Sequence, residues 1–403
     1  MVDRLGAAIR SVLDNGNCSG CGGCALVSQR VNMVLSSDGF LRPSVSALSA
    51  GEPPESEVKR FRSCCPGVRV SAPKPRALVH PVFGSYVSCW VGWAKDDEFR
   101  HAGSSGGVLS ALTAFLTEES AGGKVIASAE STSRPGTTVD LTLESRADAL
   151  ASAGSRYAPV TNLAALRENP DVVAVVAKPC EASAARQLFD YDQTTEADRP
   201  ILLSFFCAGT PSQTATTNLA EMLGADHRTL TSVRYRGNGW PGQFEATDAA
   251  GIHAMSYRES WGQHLGRTVQ WRCKICVDGT GEHADVAVGD YWHADQDGFP
   301  DFTDAEGQSV VIARTVRGHD LLMRAAASGE LQLDTVDLDS VAKIQPLQVD
   351  RRYTLAARLA GRRLALKKVP KYRGYNLIGR SARRPRPAIR AGLGTFLRSV
   401  GLR

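Results

Sequence analysis

The sequence predicts an α/β (α+β) core built on a mixed sheet, joined to a small cysteine-rich module at its start. Three observations carry this reading. Short apolar runs alternate with amphipathic segments between residues 86 and 327, three cysteines crowd into residues 18–24, and the charge is split along the chain. Residues 351–403 hold sixteen Lys and Arg and no Asp or Glu, so the preceding 350 carry 31 basic against 42 acidic residues, a net charge of −11. At 403 residues the chain accommodates several units, and the expected division is 1–75, 80–345 and 346–403.

In the first unit Cys18, Cys21 and Cys24 are spaced two residues apart on a Gly-rich loop, and Cys64-Cys65-Pro66-Gly67 follows much later. Thiolates at that spacing wrap one face of a cubane cluster while the glycines let backbone N–H groups point at its sulfides, so the pattern indicates iron and sulfur. A two-cluster bacterial ferredoxin continues with three residues and a Cys-Pro, but Ser28-Gln29 occupy that place. One ferredoxin-like 4Fe-4S cluster is therefore expected here, closed by Cys65, with Cys64 the weaker fourth ligand. Structural zinc, which favours two separated CxxC pairs, and a disulfide are the alternatives.

Beyond the Pro-rich linker at 71–75, residues 86–94 read as a strand, 108–117 as a helix and 124–128 as a strand. Residues 172–177 are a buried strand running through Lys178-Pro179-Cys180 into a helix at 181–188, and 201–206 form a strand ending at Cys207. Residues 285–288 and 309–313 complete the expected strands, and 319–327 a helix. The apolar runs are too short to cross a bilayer and residues 1–17 lack a signal-peptide pattern, so a cytoplasmic protein with reduced thiols is expected.

Gly103, Ser104, Ser105, Gly106 and Gly107 open a helix with N–H groups, hydroxyls and room for close approach, which suits a phosphate or pyrophosphate; a plain helix cap is the alternative. Ser155, Arg156 and Tyr157 bring together a hydroxyl, a cation and a ring, a set that beside the first loop could clamp an adenine or isoalloxazine ring. Lys178 and Pro179 lie outside the carboxyl end of a strand, where open α/β sheets bind ligands. Cys180, Cys207, Cys273 and Cys276 make a second four-thiolate site geometrically plausible. Against it stand a core role for Cys180 and Cys207, and a redox dithiol or half a zinc site for the CxxC pair. Cys89 is assigned to the core.

Taken together, residues 18–24, 64–67, 101–112, 154–160, 178–187, 205–212, 235–242 and 271–292 resemble the beta subunit of coenzyme F-420 hydrogenase and dehydrogenase. That iron–sulfur flavoprotein family also includes 7-hydroxymethyl chlorophyll a reductase and a ferredoxin-dependent divinyl chlorophyllide reductase. The matching stretches keep the family's order over about residues 15–315. The resemblance implies an FAD-binding core, one or two 4Fe-4S clusters, and electron transfer to a deazaflavin coenzyme or another small reducible substrate. By this resemblance residues 103–107, 154–157, Lys178 and Pro179 hold FAD, and Cys180, Cys207, Cys273 and Cys276 are ligands of the second cluster. The family turn is usually Thr-Pro-Cys; Lys178 in its place is expected to set a cation close to the flavin and favour its anionic reduced form.

The reading is therefore an oxidoreductase in which clusters move electrons singly and FAD in pairs. His283 and Asp290 are the expected groups for protonating a substrate. The rival is a non-catalytic electron-transfer or scaffold subunit docking a redox partner, in a setting such as polysaccharide biosynthesis that the wider family also serves; an oligomer suits either. Nucleic acid is disfavoured, since the basic segment lacks interleaved aromatics. An amphipathic helix over 353–366 is expected to lie on an anionic membrane surface or an acidic partner, or else to fold back on the acidic body.

Overall fold

The computed structural model describes residues 3–46, 54–75, 78–119, 122–292 and 306–402. Eight strands form one sheet: β1 (Ser88–Ala94), β2 (Val125–Glu130), β3 (Thr138–Leu143), β4 (Ala174–Ala177), β5 (Ile201–Phe205), β6 (Val286–Tyr291), β7 (Gln308–Ala313) and β8 (Leu331–Thr335). Their order is β8-β1-β7-β6-β5-β4-β2-β3. The neighbours from β6 through β5 and β4 to β2 run parallel, and the remaining pairs are antiparallel. The expected mixed sheet is present, with antiparallel strands on both flanks of a parallel centre.

Period-two alternation sends successive side chains to opposite faces. Val125, Ala127, Ile201 and Leu203 pack on one face with the helices α1 (Val108–Glu119) and α3 (Val316–Ala327). Ile126, Val175 and Leu202 pack on the other with α2 (Pro179–Tyr191). Helix α2 begins where it does because Pro179 presets the first turn and the Glu181 carboxylate accepts from the Lys178 amide at 2.8 Å. The short edge strands β3 and β8 were not anticipated, nor was a separate antiparallel sheet of Ser232–Arg234, Gln243–Asp248 and Gly251–Ser256. Residues 138–143, 243–248 and 331–335 nonetheless alternate apolar and polar side chains, the period-two pattern of a half-buried strand, so a signal for them was available.

The first 75 residues contribute the helices Arg4–Asp14, Gly23–Val27 and Glu55–Cys64 and a hairpin of Val31–Leu35 with Leu41–Val45. They are tied to the far end of the chain, because Lys371–Arg373 pairs in parallel with Arg69–Ser71.

The basic C-terminal residues form α4 (Pro346–Leu364), α5 (Leu377–Ala382) and α6 (Pro385–Ser399). Helix α4 covers the segment expected to lie on a membrane, but Leu355 and Leu359 on it are buried with Val70, Ile275 and Val277. Its apolar face is thus used within the molecule, and the segment folds back onto the body. Arg352 anchors it: the buried guanidinium donates to the Val82 carbonyl at 2.8 Å and the Val277 carbonyl at 3.1 Å and pairs with the equally buried Glu282.

Burying a cation requires its counter-charge. Glu282→Gln should therefore lower stability by about 3–5 kcal/mol in urea unfolding. Glu55→Gln, which breaks the exposed pair with Lys59, should cost under about 1 kcal/mol.

Candidate functional site

The loop at 18–24 turns through Gly20 and Gly22, whose φ values of +68° and +75° are left-handed and open to glycine without strain. The turn aims the Gly20 N–H at Cys18 Sγ, 3.4 Å away. Cys18, Cys21, Cys24 and Cys65 line one narrow cavity whose other walls include Ile9, Val12, Met33 and Phe61. Cys64 is turned elsewhere, its thiol directed at the Phe61 carbonyl at 3.7 Å, so Cys65 is the fourth thiol on the cavity. Burial, and then neighbouring Cys21, hold the Cys65 thiol well above its ordinary pKa, and the same causes act on Cys24. Four such thiols ionise together only with a compensating cation among them, which is the chemistry of a metal-bound thiolate set. Buried hydroxyl oxygens of Ser19 and Thr161, both unpaired, belong to the same neighbourhood.

The second set gathers from three elements. Cys180 stands in the first turn of α2 directly after β4, Cys207 follows β5, and Cys273 and Cys276 come from the short helix Trp271–Lys274 and the residues beyond it. The Thr210 amide donates to Cys273 Sγ at 3.4 Å, and the Cys276 thiol donates to the Asp278 carbonyl at 2.9 Å. Burial, then Cys273, push the Cys207 thiol up to about 12. The Cys180 thiol is raised well above its ordinary value by burial, with Cys21 and Cys276 adding to the effect. The two sets are thus electrostatic neighbours, and Cys21 and Cys180 pack in one apolar cluster.

Between them lies a residue whose role the sequence did not signal. Buried Arg272 donates to the Pro66 carbonyl at 3.0 Å, beside Cys65, and to the Ile275 carbonyl at 3.3 Å, beside Cys276. Its Nε is buried without a partner, and among the described residues no carboxylate pairs with it. Burial opposes its charge, but Tyr372 and the thiols of Cys276, Cys180 and Cys273 hold its pKa above the usual value. Among the described residues no three His, Cys, Asp or Glu side chains converge as ligands of a single metal ion would. Next to Cys273 is a cavity of about 220 Å³ whose walls include Lys274, Arg351, Arg358 and Trp261.

The two glycine-bearing loops meet. Ser155 Oγ donates to Ser104 Oγ at 2.8 Å, Ser105 Oγ lies 2.9 Å from Ser309 Oγ, and the Gly106 amide donates to that same Ser309 oxygen at 3.0 Å. A Cβ on Gly106 would lie 2.6 Å from the Gly92 carbonyl oxygen, so substitution there tests packing rather than ligand contact. Tyr157 packs on Trp261, with ring centroids 4.9 Å apart, and Arg156 donates to the Val233 carbonyl at 2.6 Å while its Nη2 is buried and unpaired. Next to Tyr157, sequence reasoning missed Arg236. It is buried between Trp240 at 4.7 Å and Tyr257 at 4.5 Å, pairs with Asp290 at 2.5 Å, and leaves its own Nη2 unpaired. The signal available was the glycine-rich run 235–242, whose Gly237, Gly239 and Gly242 all have positive φ.

Two expectations need correction. Lys178 does not offer a free cation to a cofactor, because its ammonium pairs with Glu181 at 3.0 Å and donates to the Val160 carbonyl in a buried pocket. His283 and Asp290, each expected to protonate a substrate, stand at opposite ends of β6. Asp290 is near the carboxyl end of β6, whereas His283 precedes its amino end, with about 13 Å of strand between Val286 and Asp290. The buried imidazole of His283 donates through Nε2 to the Ser71 carbonyl at 2.9 Å, joining the first unit to the core.

Residues 89–167 match the family model for the N-terminal part of the coenzyme F420 hydrogenase/dehydrogenase beta subunit, and residues 171–339 match the model for the C terminus of the same subunit. The chain belongs to the coenzyme F420 hydrogenase/dehydrogenase beta subunit family. It is 24% identical over 267 residues to coenzyme F420 hydrogenase subunit beta of Methanothermobacter thermautotrophicus, which covers 64% of this chain and 87% of that one. It is 25% identical over 361 residues to the coenzyme F420-dependent sulfite reductase of Methanocaldococcus jannaschii; the match covers 85% of this chain but half of that protein, 50%. The fold is similar to a chain of the F420-reducing [NiFe] hydrogenase complex from Methanosarcina barkeri, with a TM-score of 0.51 and 21% identity over 69% of this chain and 96% of that one. The family is thus one of oxidoreductase subunits, and residues 346–403 lie beyond both matched regions.

Burial lowers the His283 pKa, so the folded state keeps the ring neutral where the unfolded chain takes up a proton. The unfolded state then binds more protons, and this site's contribution to stability falls as pH drops through the unfolded value near about 6.5. Urea titrations at pH values from 7.5 down to 5 should show a shallower loss of stability for His283→Gln than for the wild-type chain.

Proposed function

We propose that this family member is an iron–sulfur flavoprotein oxidoreductase that moves electrons between 4Fe-4S clusters, FAD and a deazaflavin coenzyme or other small reducible substrate. The observation that carries the reading is the pair of adjacent four-thiol sets with Arg272 buried between them. A buried guanidinium without a carboxylate calls for nearby negative charge, and metal-bound thiolates supply it. In this reading Cys18, Cys21, Cys24 and Cys65 hold one cluster and Cys180, Cys207, Cys273 and Cys276 a second.

FAD suits the loops on the other side of the carboxyl edge. The unpaired Nη2 atoms of Arg156 and Arg236 are buried polar atoms in want of an acceptor, and Tyr157, Tyr257 and Trp240 supply aromatic faces beside them. Gly103, Ser104, Ser105, Gly106 and Gly107 with Ser155 frame the adjoining loop pair, and Lys178 and Pro179 shape the neighbouring strand end. When bound, such groups carry electrons singly on clusters and in pairs on flavin.

The residues themselves set access and charge. Asp290, fixed by Arg236, lies at the carboxyl edge where a substrate would need an acid–base partner. Lys274, Arg351 and Arg358 give the cavity beside Cys273 a cationic wall suited to an anionic substrate or an acidic segment of a redox partner. The related proteins include a hydrogenase subunit, which supports a partner protein as electron donor or acceptor.

Anaerobically purified protein should contain iron, sulfide and FAD. Cys65→Ser should remove about four iron atoms per chain and Cys64→Ser none, while Cys273→Ala with Cys276→Ala should remove about four others. Arg156→Met should lower flavin content in a protein that stays folded, its melting temperature lowered only by loss of the hydrogen bonds to the Val233 carbonyl and Thr138. Stoichiometric zinc without sulfide, or iron indifferent to all these changes, would refute the assignment.

A further inference from the structure

Helix α6 is inverted relative to an ordinary surface helix. Its inward face is made of small residues, with Ala388, Gly392 and Thr395 buried against α4, while Ile389 and Leu393 are 69% and 58% exposed. The inward packing has no spare room: a Cβ on Gly392 would lie 2.8 Å from the Ala357 carbonyl oxygen, and one on Gly361 would collide with the Gly392 carbonyl oxygen. The helix therefore cannot roll to bury its large side chains, and they remain in water at one-turn spacing. Leu364, Leu366, Ile378 and Leu402 in the same C-terminal segment are exposed as well, Leu366 at 93%.

Around these apolar groups the charge is of one sign. Arg363, Lys367, Lys368, Arg386 and Arg390 are exposed among them, and residues 351–403 contain no acidic side chain. Arg386, Ile389, Arg390 and Leu393 recur at intervals of three and four, so cations flank the apolar stripe on one helix face. The first 350 residues are net negative at −11, opposite in sign to this segment. No helix among the described residues is long and apolar enough to cross a membrane.

We propose that this C-terminal face rests on the surface of an anionic bilayer, with Ile389, Leu393 and their apolar neighbours at the acyl boundary and the arginines and lysines at the lipid phosphates. An anionic bilayer fits both features at once: it takes exposed aliphatic groups without requiring shape complementarity, and its charge complements the one-signed cations. The acidic body is repelled by the same surface, which orients the molecule with its C-terminal face down. The contact surface is built by α5, α6 and the end of α4, not by the middle of α4, whose apolar residues are engaged inside. The proposal is independent of the cofactor assignment.

The test is flotation of the full chain, purified anaerobically with whatever cofactors it holds, on vesicles of phosphatidylcholine alone and of phosphatidylcholine mixed with phosphatidylglycerol. Binding should require phosphatidylglycerol, weaken as salt is raised, and fall by at least about tenfold for Ile389→Glu with Leu393→Glu and for Arg386→Glu with Arg390→Glu. All four positions are exposed, so melting temperature should be unchanged and a folding defect can be told from lost binding. Failure of the wild-type chain to bind anionic vesicles at low salt would overturn the proposal, as would binding indifferent to both double variants. So would a concentration-dependent dimer in gel filtration that Leu393→Glu disperses without any vesicle binding, since a second copy would then be the occupant.

Discussion

A single guanidinium, that of Arg272, connects the two cysteine sets of this molecule. It reaches the Pro66 carbonyl on one side and the Ile275 carbonyl on the other, so the two thiol sets are fixed relative to each other by backbone contacts of one rigid fork. A buried cation is tolerated only where negative charge stands nearby. Here thiols surround it, and the charge state of the thiols and the stability of the arrangement are coupled. Tyr372, whose ring lies 5.7 Å from the same guanidinium, donates to the Ile275 carbonyl at 2.6 Å and brings the C-terminal segment into the same junction.

The rest of the architecture serves that junction. The parallel strands β4 and β5 deliver Cys180 and Cys207 to one edge because parallel neighbours end on the same side of a sheet. The first unit is held against α2 by small residues: an added Cβ on Gly23 would lie 3.1 Å from the Ala184 Cβ, so any larger pair would separate Cys21 from Cys180. The strand pairing of Lys371–Arg373 with Arg69–Ser71 and the Arg352–Glu282 pair close the structure from the other end. A basic segment lying beyond both family matches is in this way integrated into the fold, while its outer surface is left apolar and cationic.

Charge satisfaction also explains where expectation and structure part. Lys178 was expected to set a cation by the flavin because it stands where the family turn usually has Thr, but a buried ammonium needs a carboxylate, and Glu181 one helical turn away provides it. Arg236 escaped notice because the glycine-rich run around it signals a tight turn and not a ligand-facing cation, while in space two rings and Asp290 enclose it. His283 and Asp290 were both expected to protonate a substrate, yet they stand at opposite ends of an extended strand, which places them far apart.

The sequence by itself determined the mixed α/β core, because period-two and helical periodicities are local properties of the chain and every one of the strands and helices anticipated beyond residue 80 is present. It also determined the cysteine loop, since glycine at Gly20 and Gly22 dictates the turn that brings its thiols together. Only the tertiary structure decided that Cys65 and not Cys64 faces the cavity, because adjacent residues at a helix end point in different directions and packing chooses between them. It alone set the two thiol sets side by side around Arg272, and turned the small side of α6 inward and its large side out. Those outcomes rest on contacts between residues hundreds of positions apart, on which local pattern is silent.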